Sequence, residues 1–147
     1  TCSKNLLKIR HLNQNKKNEI RAKKLAEAFW PGGLTMILPA NEKGAPLLRG
    51  FEGLGLRVPA HQKLVQLLAQ MKNPLASTSA NRHTFPVITD EEELLQFFEG
   101  QADIILLGGK CQASSSTVID IFSAPVLLRE GFVSKQEIEK TLDIKVK

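Results

Sequence analysis

Segments with a helical period and segments with a strand period alternate along this chain, and that alternation confines it to a mixed α/β fold. The clearest strand is Leu54-Gly55-Leu56-Arg57-Val58, closed by Pro59. Its residues point alternately to two faces, so Leu54, Leu56 and Val58 share one face while Gly55 and Arg57 share the other. Arg57 is thereby lifted off the second face, beside a glycine that leaves room. Leu34 to Leu38, bounded by Pro39, reads as a buried strand. Ile104 to Leu107, before Gly108-Gly109, reads as a central one. Ser116 to Ile121 and Pro125 to Arg129 read as two more, the second closed by Gly131.

Between these lie amphipathic helices. Asn18 is placed to cap a helix from Glu19 to about Phe29, with Ala22, Leu25, Ala26 and Phe29 on one face and Pro31-Gly32-Gly33 as its stop. Leu64, Leu67, Leu68 and Met71 give a second helix from about Gln62 to Lys72. Thr89 and Glu92 have the spacing of a capping box, opening a helix with Leu94, Leu95, Phe97 and Phe98 that ends at Gly100. Ser134 and Glu137 repeat that spacing before a last helix with Ile138 and Leu142. The chain has 147 residues, enough for one domain with a real core. The expected fold is a single α/β sandwich around a twisted mixed sheet with helices on its faces.

Composition removes several function classes. No run approaches the ~18 apolar residues of a membrane span, and no leader pattern is visible, so a cytoplasmic protein is expected. Cys2 and Cys111 form no CxxC pair, which argues against a disulfide framework and gives no support to a zinc site. His11, His61 and His83 lack metal-ligand spacing. There is no Walker A pattern, no GxGxxG and no GxSxG elbow. Glu91, Glu92 and Glu93 open a helix, where acids complement the macrodipole. No proton-transfer catalyst and no metal ligand is nominated. The net charge of +5 is concentrated early, in Lys4, Lys8, Arg10, Lys16, Lys17, Arg21, Lys23 and Lys24. Such a face attracts polyanions, although a solvated helix face is the simpler account. With no Tyr and few other aromatics, stacking platforms for single-stranded nucleic acid are not visible.

What does recur is hydroxyls and arginines next to strand ends. Pro74-Leu75-Ala76-Ser77-Thr78-Ser79-Ala80-Asn81 collects hydroxyls and an amide among small side chains. It suits either a Ser/Asn-rich turn or a cradle for a polar, charged small molecule. With Arg57, Ser116 and Arg129 it makes a set suited to anions, since arginine grips phosphate and carboxylate in a bidentate way. Such a site works by positioning and electrostatics, as nucleotidyl transfer does.

Five ordered stretches carry a resemblance. They are Phe29-Trp30-Pro31-Gly32-Gly33-Leu34-Thr35, Leu56-Arg57-Val58-Pro59-Ala60-His61, the 74–81 run, Ser116-Thr117-Val118-Ile119-Asp120 and Leu127-Leu128-Arg129-Glu130-Gly131. In this order and spacing the chain resembles the YrdC-like threonylcarbamoyl-AMP synthases. The resemblance implies a nucleotidyltransferase that condenses L-threonine, bicarbonate and ATP, accompanied by Mg²⁺, into threonylcarbamoyl-AMP and pyrophosphate. It further implies that a separate transferase passes the group to tRNA, with direct RNA contact open and no membrane partner. Arg57, Ser77 and Ser116 would hold L-threonine, and Ser79 and Arg129 would contact ATP. Asn81 would shape its loop. On this resemblance residues 1–147 are the larger, C-terminal part of one YrdC-like domain, N-terminally truncated, without the upstream Lys/Arg motif that grips the phosphates. Departures from the family pattern fall mainly on the nucleotide half, at Val87 and Gly53. Two alternatives stay open: an inactive YrdC-like module that binds RNA or nucleotide, and a related carbamoyltransferase domain.

Overall fold

The computed structural model describes residues 16–40, 42, 44–48, 50–81, 84–109, 115–122 and 124–147. Cys2, Cys111, His11, His83 and the early Lys4, Lys8 and Arg10 lie outside them. The element order is α1 (Lys16–Phe29), β1 (Leu34–Pro39), a 3₁₀ turn (Ala45–Leu47), β2 (Gly53–Leu56), α2 (Gln62–Gln70), α3 (Glu91–Phe98), β3 (Thr117–Asp120), β4 (Val126–Arg129) and α4 (Lys135–Leu142). The chain divides into two compact units, residues 1–72 with 115–147, and residues 73–114.

The first unit holds a four-stranded sheet in the order β2-β1-β3-β4. β1 runs parallel to β3, and the two outer pairs are antiparallel, so the sheet is mixed as expected. Strand parity sorts the side chains. Leu34, Met36 and Leu38 of β1 and Ile119 of β3 are buried on one face. They meet Ala22, Leu25 and Ala26 of α1 and Ile138 and Leu142 of α4, the core that hydrophobic burial holds together. Trp30 closes its edge and donates its ring N–H to the Leu34 carbonyl at 2.7 Å.

Polar groups fix the docking of the helices. Asn18 lies inside α1 instead of capping it. The residue is buried, and its amide donates to the Phe122 carbonyl after β3 at 2.7 Å. A buried amide with a partner 104 positions away gains more from that bond than from an N-cap. α4 has the expected capping box: Ser134 Oγ accepts from the Glu137 amide, and the Glu137 carboxylate accepts from the Ser134 amide. Beyond α4 the chain returns beside β4, where the Leu127 amide donates to the Lys147 carbonyl at 2.8 Å.

The unit of residues 73–114 differs from expectation in two places. Ile104 to Leu107 does not form a strand, and Ile104 and Leu106 are 77% and 75% exposed. A strand needs a ladder partner, and the described residues of this unit offer none. α3 is capped by Asp90, one residue after Thr89, with its carboxylate accepting from the Glu92 and Glu93 amides at 3.0 and 3.2 Å. Asp caps as well as Thr does, so the two adjacent candidates were equivalent on sequence. Gly100 takes the positive φ of +72° after the helix, the conformation glycine tolerates best.

Candidate functional site

The register aligns a row of side chains across the sheet. Met36 pairs with Leu56, so one step further along the antiparallel ladder Thr35 stands beside Arg57. Thr35 also pairs with Val118, and Val118 with Arg129. Arg57, Thr35 and Val118 have the parity opposite to the core residues of their strands, and a bulge at Val118/Ile119 brings Arg129, which shares the parity of core-packed Leu127, level with Val118. They therefore occupy the other face, and Ser116 joins them two residues before Val118. At about 4.8 Å per strand, the backbones of Arg57 and Arg129 stand roughly 14 Å apart, bracketing Thr35 and Ser116.

Each side chain in the row is held. Arg57 donates from Nε to the Gly32 carbonyl at 2.8 Å, and the Gly32 amide donates back to the Val58 carbonyl at 2.8 Å. Thr35 Oγ1 and Ser116 Oγ share a hydrogen bond at 2.9 Å. Arg129 donates from Nε to the Ser116 carbonyl at 3.0 Å and from Nη2 to Ser116 Oγ at 3.2 Å. Both arginines are exposed and, among the described residues, neither pairs with a carboxylate. Their remaining guanidinium N–H groups are thus available to an incoming anion, and two uncompensated charges on one face attract one.

Sequence reasoning missed two residues here. Thr35 was noted only as part of a motif, and its contact with Ser116 spans 81 positions. Thr117 points the other way, into the core, and is fully buried. Its hydroxyl donates to the Val133 carbonyl and accepts from the Gly131 and Val133 amides at 2.9 and 3.0 Å. A threonine at a core position of an alternating strand was the available signal, because a buried hydroxyl needs partners. Gly131 is required at this place: a Cβ there would strike the Ser115 carbonyl oxygen.

Ser77 and Ser79 belong to the other unit, where both are exposed in an irregular segment. That segment is shaped locally. Asn81 Nδ2 donates to the Phe85 carbonyl at 2.7 Å, and the Ile88 amide to the Ala80 carbonyl at 3.0 Å. Glu91 accepts from the Gly109 amide at 2.6 Å, and His61 caps α2 by accepting from the Leu64 amide at 3.3 Å. Among the described residues no three His, Cys, Asp or Glu side chains gather as metal ligands, and no helix is long and apolar enough to cross a membrane. An open depression of about 650 Å³ along α2, lined by Ala60, Val65, Ala69, Gln62, Gln66 and Gln70, offers no charge to an anion.

Comparison with known proteins gives a consistent result. The family model described as telomere recombination, Sua5/YciO/YrdC, matches residues 1–131. The threonylcarbamoyl-AMP synthase of Pyrococcus abyssi is 36% identical over 124 residues, which are 82% of this chain and 36% of that protein. The threonylcarbamoyl-AMP synthase of Bacillus subtilis is 33% identical over 126 residues, 83% of this chain and 36% of its own length. The chain thus spans about a third of the length of these curated relatives. Among solved structures, the crystal structure of P. abyssi Sua5 complexed with L-threonine superposes with a TM-score of 0.78 at 35% identity, covering 87% of this chain and 39% of that one. E. coli YciO superposes with a TM-score of 0.70 at 28% identity, covering 79% and 58%.

Proposed function

The chain belongs to the Sua5/YciO/YrdC family, and from that premise we propose that it serves as a YrdC-like domain in making threonylcarbamoyl-AMP from L-threonine, bicarbonate and ATP. The observation that carries this reading is the row Arg57, Thr35, Ser116, Arg129 on the sheet face opposite the core, two arginines around a hydroxyl pair with no acid paired to either among the described residues.

In the proposed reaction the amine of L-threonine takes up bicarbonate to give a carbamate, with loss of water. A carbamate oxygen then attacks the α-phosphorus of ATP. The new O–P bond forms as the bond to the bridging oxygen breaks, and pyrophosphate leaves with that electron pair. Nothing in this sequence asks a side chain to transfer a proton at the α-phosphate. It asks for two anions to be held close and for their charge to be offset, which multidentate guanidinium groups provide. Arg57 takes the threonine carboxylate through its Nη groups while Gly32 fixes its Nε. Ser77 and Ser116 complete the amino-acid side, and Arg129 with Ser79 serves ATP. Mg²⁺ belongs to this reading as the counter-ion of ATP, and no step is routed through a protein-held metal. The product is meant for tRNA modification by a separate transferase, in the cytoplasm.

The test is pyrophosphate release from ATP by the 147-residue chain, with and without L-threonine and bicarbonate. Release that needs both supports the synthase. Binding of L-threonine or ATP without release favours the binding-module alternative, which the chain's coverage of only about a third of its relatives keeps in play. Release that depends on a carbamoyl donor instead of L-threonine would favour the carbamoyltransferase.

A further inference from the structure

We propose that Thr35 is a positioning residue for Ser116, holding the Ser116 hydroxyl in place toward the ligand. This rests on the reading of Ser116 as an L-threonine contact. A serine hydroxyl has one proton and two lone pairs. At Ser116 Oγ, Thr35 Oγ1 lies at 2.9 Å and Arg129 Nη2 donates at 3.2 Å. Arginine has no acceptor, so its contact consumes a lone pair without ambiguity. The hydroxyl pair takes up a second hydrogen-bonding position of that oxygen. One position of Ser116 Oγ is then left for a ligand.

Thr35 suits the task because a β-branched side chain on a central strand has restricted χ1 freedom. The hydroxyl is therefore held at little further entropic cost. Ser116 is in turn gripped from the far side by Arg129 at both its Oγ and its backbone carbonyl. Thr35 touches no ligand in this account and acts only through Ser116.

The experiment is a double-mutant cycle on L-threonine affinity by calorimetry, with Thr35→Val, Ser116→Ala and the pair, and Thr35→Ser as the conservative control. Val keeps the shape and the strand preference of Thr and removes only the hydroxyl. Thr35→Val is expected to weaken L-threonine about fivefold, the worth of one hydrogen bond. Thr35→Ser should stay within about twofold of the parent. In the Ser116→Ala background, Thr35→Val should add less than about twofold, because the group it acts through is gone. Losses that multiply across the cycle would overturn the positioning role and leave the proposed function standing. A parent chain that binds no L-threonine would instead overturn the proposed function, and this inference with it. Coupling of the same two residues in urea unfolding, read without ligand, separates a hydrogen bond that does not exist from one that does not serve binding.

Discussion

Thr117→Val should cost this protein about 2–4 kcal/mol of stability. The figure follows from what the hydroxyl does. It makes three hydrogen bonds to the backbone of residues 131–133, one donated to the Val133 carbonyl and two accepted from the Gly131 and Val133 amides. Thr117 is fully buried and Val133 nearly so, at 5% exposed. Valine fills the same volume, so no cavity is left, and the whole loss is the desolvation of backbone groups without partners. At about 1 kcal/mol for each bond the sum is about 3 kcal/mol, lowered where the Gly131 amide can recruit water. With an unfolding entropy of about 2.1 cal/mol/K per residue, the melting temperature of a 147-residue chain falls by about 10 °C. Urea and thermal unfolding measure this directly, and amide exchange at Gly131 and Val133 should accelerate first. Thr117→Ser keeps the hydroxyl and should lose about 1 kcal/mol for its methyl. A Thr117→Val loss no larger than that of Thr117→Ser would refute the reasoning.

Two more outcomes follow from the same geometry. Arg57→Ala should weaken L-threonine more than ATP, and Arg129→Ala the reverse, each by about tenfold or more for a charge-assisted contact; calorimetry with each ligand checks both, and equal losses would sink the division into half-sites. The Ser134 hydroxyl, and then its amide, hold the Glu137 carboxylate below its ordinary value of 4.5. A carboxylate depressed on folding contributes stability above that ordinary value and loses it as the pH falls through the folded one. Ser134→Ala should therefore flatten the fall in stability below about pH 4.5, as read by urea titration across that range.

The legible parts of this fold are those that periodicity controls. Alternation set Arg57 on the face opposite Leu54 and Leu56, an apolar run marked 34–38 as a buried strand, and the helical period found Ala22, Leu25 and Ala26. What stayed hidden depends on partners distant in sequence. Leu56 keeps its foreseen parity but is 42% exposed, because β2 is an edge strand and the α1–α4 layer is built over β1 and β3. Ile104 to Leu107 is apolar enough for a strand, but apolarity does not supply a neighbour. Asn18 has the residue type of a cap and the environment of a core amide. Of the site, Arg57, Ser116 and Arg129 were nominated from residue type and resemblance, and the structure sets them on one sheet face. Thr35 was not nominated because nothing local distinguishes it from any other strand threonine.

If Ser116 holds a ligand as proposed, the dipeptide Ser116-Thr117 links stability to binding in this unit. Adjacent residues of a strand face opposite sides, so one turns toward the core and the other toward the opposite face. Thr117 pins the backbone of residues 131–133, the segment into which β4 runs immediately after Arg129. Ser116 holds the guanidinium of Arg129 itself. Arg129 is therefore constrained at both ends, its exit from the strand by one residue and its head group by the next. An arginine already held in place loses less side-chain freedom when an anion arrives, so more of the electrostatic attraction survives as affinity. A one-residue slip of β3 would exchange the two roles, burying the Ser116 hydroxyl and exposing the pin. The polar pair thus specifies the register of the sheet as firmly as the apolar residues beside it.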